Sequence, residues 1–152
     1  MTRGTEGAWA IHVDTGGTFT DCITEAPGGE IFRAKVLSHG SLPGVVDEII
    51  GPRVMRINVP WRAPDDFPVG FTLLFPDRPD FRCKVSEYHA SSGRILVDED
   101  LPVVSSSGEP VELLSGWEAP ILAARLTLAS QGVDLGKASV AMRLATTRCT
   151  NA

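Results

Sequence analysis

The stretch AIHVDTGGTFTD, residues Ala10 to Asp21, packs two carboxylates, two adjacent glycines and three threonines into a short span. Three apolar residues, Ala10, Ile11 and Val13, stand in the four positions before Asp14. Phe19, Cys22 and Ile23 follow the glycines. Two short apolar runs joined by Gly16-Gly17 predict a β-hairpin, and the turn has two readings. It is either a plain permissive turn or a concave arc of backbone N–H groups able to hold anionic oxygens. Glycine tolerates positive φ and lets a ligand approach the backbone closely, so Gly16 and Gly17 are expected to shape such an arc.

Reading outward, Glu30–Leu37 (EIFRAKVL) forms a third strand-like run, reached through the turn Pro27-Gly28-Gly29. Three short strands with glycine turns predict an antiparallel meander. The segment SHGSLPGVVDEIIGPR that follows is expected to hold at most one helical turn, because Gly40, Pro43, Gly44, Gly51 and Pro52 interrupt it. Further strands are expected over Val54–Val59, Val69–Phe75, Arg82–Tyr88 and Gly93–Glu99, with prolines at their edges. Residues 52–114 therefore read as a small all-β inserted module, structural in purpose. A helix is expected after Glu118, with Pro120 in its first turn and Gly132 at its end. Its expected face is Ile121, Leu122, Arg125, Leu128 and Ala129. Val140–Leu144 alternates as a strand, and ATTRCTNA reads as a strand end turning into a helix start. The expectation is a piece of a longer protein, with residues 1–51 and 115–152 as one domain and 52–114 inserted in it. The fold class is α/β, or α+β by a strict count.

Composition narrows the function. The chain has 152 residues, 43% of them hydrophobic and 22% charged, as in globular proteins. A net charge of −5 with no basic stripe disfavours nucleic acid as a partner. No apolar run reaches membrane-spanning length. The N-terminal residues lack the apolar core of a signal peptide. The three cysteines are odd in number and widely spaced, so no disulfide framework or C-x-x-C ligand pair is expected, and a reducing cytoplasmic setting is.

The opening stretch carries the chemistry. Thr15, Thr18 and Thr20 add hydroxyls suited to phosphate oxygens, whereas Asp14 and Asp21 would repel a bare anion. A cation between them resolves this, since Mg²⁺ commonly takes one or two carboxylates together with phosphate oxygens. The combination favours a Mg-nucleotide, although neither the Walker loop nor the Rossmann fingerprint is present. A rival reading takes Asp14-Thr15-Gly16 as half of a retropepsin-like aspartic protease, whose two aspartates share a proton. EIIG at Glu48–Gly51 would be its downstream apolar triplet, but GTFTD and ATTRCTNA have no role in it. A non-catalytic interaction module is the third reading.

IHVDTGGTFTDCI also resembles the N-terminal signature of the hydantoinase A/5-oxoprolinase family, and MRLATTRCTNA resembles its second signature, usually Arg-hydrophobic-Gly-Thr-Thr-x-x-Thr-Asn-Ala. GGEIFRAKVLS is similar to the family's third strand. The two motifs stand in the family's order with a helix before the second, and cover about a fifth of the chain. The resemblance implies an actin-like, ribonuclease H-like ATPase fold and an ATP-dependent opening of a cyclic amide, such as 5-oxoproline or a hydantoin. In that chemistry Mg-ATP phosphorylates the ring carbonyl oxygen before water opens the ring. It further implies Asp14 at the metal, with Asp21 supporting as a second catalytic carboxylate. Gly16, Gly17, Thr18 and Thr20 would lie around the phosphates, and Thr146, Thr147, Thr150 and Asn151 would form a second polar turn. The implied partner is the remainder of a longer chain or a hydantoinase B-type subunit, and the fragment alone is expected to be inactive. Two departures stand out. Ala145 replaces the usual glycine, and residues 38–116 are much longer than the family's link.

Overall fold

The computed structural model describes residues 7–103 and 106–146. Among them the chain is sheet-dominated, with ten strands and one helix. It divides into two compact units, one running through Gly40 and resuming at Trp117, the other Ser41–Gly116.

In the first unit, β1 (Trp9–Thr15), β2 (Phe19–Glu25) and β3 (Ile31–Leu37) form the expected antiparallel meander. The chain later returns through α1 (Ala119–Ala129) to β10 (Val140–Thr146), which lies parallel to β1. The strand order is β3-β2-β1-β10. Period-two alternation divides this sheet into two faces. Ile11, Val13, Thr20, Cys22, Thr24 and Val36 are buried on one face, where α1 packs. His12, Asp14, Asp21, Arg33 and Lys35 are exposed on the other. A one-sided core of this kind gives apolar-in, polar-out strands.

Pro120 opens α1, where a missing N–H costs no helical hydrogen bond. Gly132 closes it at φ +71°. Its N–H donates to the Ala129 carbonyl at 3.0 Å, and the Val133 N–H donates to the Leu128 carbonyl at 2.9 Å. This is a Schellman closure, and it needs a residue that accepts the left-handed region. The buried arc is wider than the expected stripe. Ala119, Ala123, Ala124, Leu126 and Thr127 are buried with Leu122 and Leu128, while Ile121, Arg125 and Ala129 are only half-buried. The small alanines allow close approach, and the Arg125 guanidinium lies 4.5 Å above the Trp117 ring. Between helix and sheet, the Thr127 hydroxyl donates to the Ala124 carbonyl at 3.0 Å and lies 2.8 Å from the Thr24 hydroxyl. Each buried hydroxyl therefore has a partner.

The second unit is a closed antiparallel barrel. Its strands are β4 (Ser41–Gly51), β5 (Val54–Asn58), β6 (Thr72–Phe75), β7 (Arg78–His89), β8 (Arg94–Val97) and β9 (Pro110–Leu114). They run in the order β4-β5-β8-β7-β6-β9, and β9 pairs back onto β4. Closure leaves no free sheet edge within the unit. Leu42, Met55, Leu73, Phe75, Ile95 and Leu113 fill the interior and are at most 1% exposed.

Here the sequence expectation needs correction. The segment read as one helical turn is an eleven-residue strand, β4. Its breakers suit a bent strand. Gly44 lies so close to the neighbouring chain that a Cβ would meet Val111 Cγ2 at 3.2 Å and Val59 Cγ1 at 3.3 Å. Register shifts between Val46 and Glu48 and between Ile49 and Gly51 bend the strand into the barrel wall. The β unit consequently begins at Ser41, not at residue 52. Arg78 ties the β6–β7 end to the approach of β9, its Nε donating to Glu109 Oε1 at 2.7 Å.

Candidate functional site

The β1–β2 hairpin turns through Gly16, Gly17 and Thr18. The Gly16 N–H donates to the Phe19 carbonyl at 2.9 Å. Ser38, just beyond β3, then fixes the turn from behind. Its hydroxyl donates to the Gly16 carbonyl at 2.8 Å, and its N–H donates to the Thr18 carbonyl at 2.9 Å. The Thr20 hydroxyl lies 2.9 Å from Ser38 Oγ. Because the Ser38 proton goes to Gly16, Thr20 is the donor in this contact.

Two expectations about the turn change. Neither Gly16 nor Gly17 takes positive φ, so the turn lacks the alternating handedness of a backbone anion nest. At Gly16 the requirement is space, since a Cβ would stand 3.1 Å from the Phe19 carbonyl oxygen. Thr20 is fully buried and faces the side opposite Asp14 and Asp21, so its hydroxyl serves the turn and not a ligand on the exposed face. Gly17 and Thr18 stay exposed at the tip, and their N–H groups have no acceptor among the described residues.

The carboxylates do come together. Asp14 and Asp21 are direct cross-strand partners and share the exposed face. Like charges in that position repel. Lys35 continues the row on β3, with its Nζ 3.6 Å from Asp21 Oδ1 and 5.2 Å from the Phe19 ring centroid. On the other side of Asp14 stands Ala145 of β10, and Thr15 pairs with Thr146 one position further on. Thr146 thus ends β10 level with the hairpin. Thr147, Thr150 and Asn151 lie outside the described residues.

Among the described residues, no group of three or more His, Cys, Asp or Glu converges as a metal site. The Asp14–Asp21 pair offers hard oxygen donors only, a set that suits Mg²⁺ completed by water and phosphate. Burial pushes the Cys22 thiol up, and it lies 3.6 Å from the Thr24 hydroxyl. Such a thiol is a packing group, not a nucleophile. Asp14 itself sits inside β1, paired with Asp21 on one side and Ala145 on the other.

Ser38 is the residue that the sequence reading missed. Its only signal is a hydroxyl at a strand end before His39-Gly40, and no spacing rule links it to Gly16. Comparison with protein-family models, curated proteins and solved structures found no match for this chain. Among the described residues, no helix is long and apolar enough to cross a membrane.

Proposed function

We propose that this chain is the N-terminal part of an ATP-dependent cyclic-amide hydrolase of the hydantoinase/5-oxoprolinase type, and that its first unit is a ribonuclease H-like, actin-like half-domain. One observation carries the reading. DTGGT and the start of ATTRCTNA, remote in sequence, lie on adjacent parallel strands with Thr15 paired to Thr146. The meander, the helical crossover and the parallel return strand beside β1 support the same fold.

In this reading Asp14, supported by Asp21, holds Mg²⁺ at the hairpin. The free N–H groups of Gly17 and Thr18 and the Thr18 hydroxyl offer donors to the nucleotide phosphates. The bound Mg-ATP supplies the phosphoryl group that activates the ring carbonyl oxygen. The chain's own part is electrostatic: it positions the cation and orients phosphate oxygens. Ser38 and Thr20 keep the turn in one geometry. The cyclic amide, the remaining cleft wall from the rest of the chain or a hydantoinase B-type subunit, and a cytoplasmic setting belong to the same proposal.

Calorimetric titration of the chain with MgATP is the test. Saturable binding that Asp14→Ala abolishes is expected. Equal binding by the variant overturns the role of Asp14. Pepstatin-sensitive proteolysis at acid pH would instead favour the aspartic-protease alternative.

A further inference from the structure

The exposed face of the first unit's sheet carries a second charged row. Arg143 of β10 is the register partner of His12, His12 of Ile23, and Ile23 of Arg33. This row runs parallel to Ala145, Asp14, Asp21 and Lys35, two residues further along each strand. That repeat corresponds to about 6.8 Å, and neighbouring strands stand about 4.8 Å apart. Arg143, His12 and Arg33 are exposed, and none of their side chains has a hydrogen-bond or ion-pair partner among the described residues. Arg143 and Arg33 thus bring two guanidinium groups to one row of a chain whose net charge is −5, beside the exposed carboxylates of Asp14 and Asp21.

We infer that Arg143, His12 and Arg33 form a phosphate-binding subsite on this face, one sheet repeat from the carboxylate pair. Charge complementarity selects the occupant. Each guanidinium fork can hold phosphate oxygens, and the two stand three strand spacings apart, about 14 Å, with His12 and Ile23 between them. A phosphate group also has reason to be there. The turn is not a nest, so its backbone cannot neutralise the charge alone. A cation on Asp14 and Asp21 would sit within reach of a phosphate on the basic row, so the two should bind together. This coupling rests on the Mg²⁺ reading above, while the basic row does not.

Titration with inorganic phosphate, with and without Mg²⁺, separates the two. The wild-type chain should bind phosphate, and more tightly with Mg²⁺ present. Arg33→Gln with Arg143→Gln should weaken binding about tenfold or more under both conditions. Both side chains are exposed, so the unfolding midpoint should hold. Arg33→Lys with Arg143→Lys, which keeps charge but loses the fork, should weaken it less. Asp14→Asn with Asp21→Asn should remove only the gain from Mg²⁺. Loss of phosphate binding in the glutamine variant without any Mg²⁺ effect would support the subsite and overturn the cation reading. Unchanged phosphate binding in that variant, or none by the wild type, overturns the subsite.

Discussion

Ser38 shows how much of the candidate site depends on a single hydroxyl. It satisfies the Gly16 carbonyl and accepts from buried Thr20. Ser38→Ala should therefore cost about 1–3 kcal/mol, the usual cost of leaving buried polar groups unpaired. Chemical denaturation would measure that loss, and faster amide exchange at Gly16–Phe19 would localise it. Cys83 gives a pH-dependent prediction. Burial, aided by Asp98 and Glu99, pushes its thiol from 9.0 up to about 12. Between those values the unfolded chain releases the proton and the folded chain keeps it, so the folded state loses stability as pH rises from about 9 towards 12. Urea midpoints should fall over that range in the wild type and fall less in Cys83→Ala.

At the scale of elements, the hairpin, the meander and the helix were legible because their signals are local. Gly-Gly and Pro-Gly-Gly turns separate short alternating runs, and Pro120 and Gly132 bracket α1. The side each residue faces follows only once the register is known, and Thr20, read from the sequence as a phosphate ligand, falls on the buried face. Asp14 pairs with Asp21 and Thr15 with Thr20, so parity then separates Thr20 from the carboxylates. The character of β4 was not legible. Its glycines and prolines argue locally against any regular element, and only pairing with β5 and β9 makes them fit a bent strand. The Arg143–His12–Arg33 row was equally invisible, since it depends on a parallel pairing across the whole chain. Two element-scale tests follow. Gly132→Ala, at φ +71°, should cost about 1 kcal/mol or more at the end of α1. Thr127→Val should cost about 1 kcal/mol, because it leaves the Thr24 hydroxyl only the weak contact with Cys22 Sγ. The double variant Thr24→Val/Thr127→Val should cost less than the sum of its singles, because it leaves no orphan behind.

At the scale of the whole molecule, the two units divide the work differently. The second unit closes its sheet on itself around an apolar interior, with no charged side chain buried among its described residues. Residues 41–116 expressed alone should therefore unfold cooperatively, as followed by circular dichroism; a gradual, non-cooperative transition would contradict barrel closure. The first unit instead sets two carboxylates opposite each other on an exposed sheet face, with the Lys35 ammonium 3.6 Å from Asp21. The Mg-nucleotide reading proposed above gives that pairing a use. The most direct measurement is an amide chemical-shift map of the chain titrated with MgADP. Saturable shifts centred on Asp14, Gly17, Thr18 and Asp21, absent in Asp14→Asn, are expected if Asp14 holds the cation of a bound nucleotide. No shifts at saturating nucleotide, or the same shifts in the variant, would contradict that role.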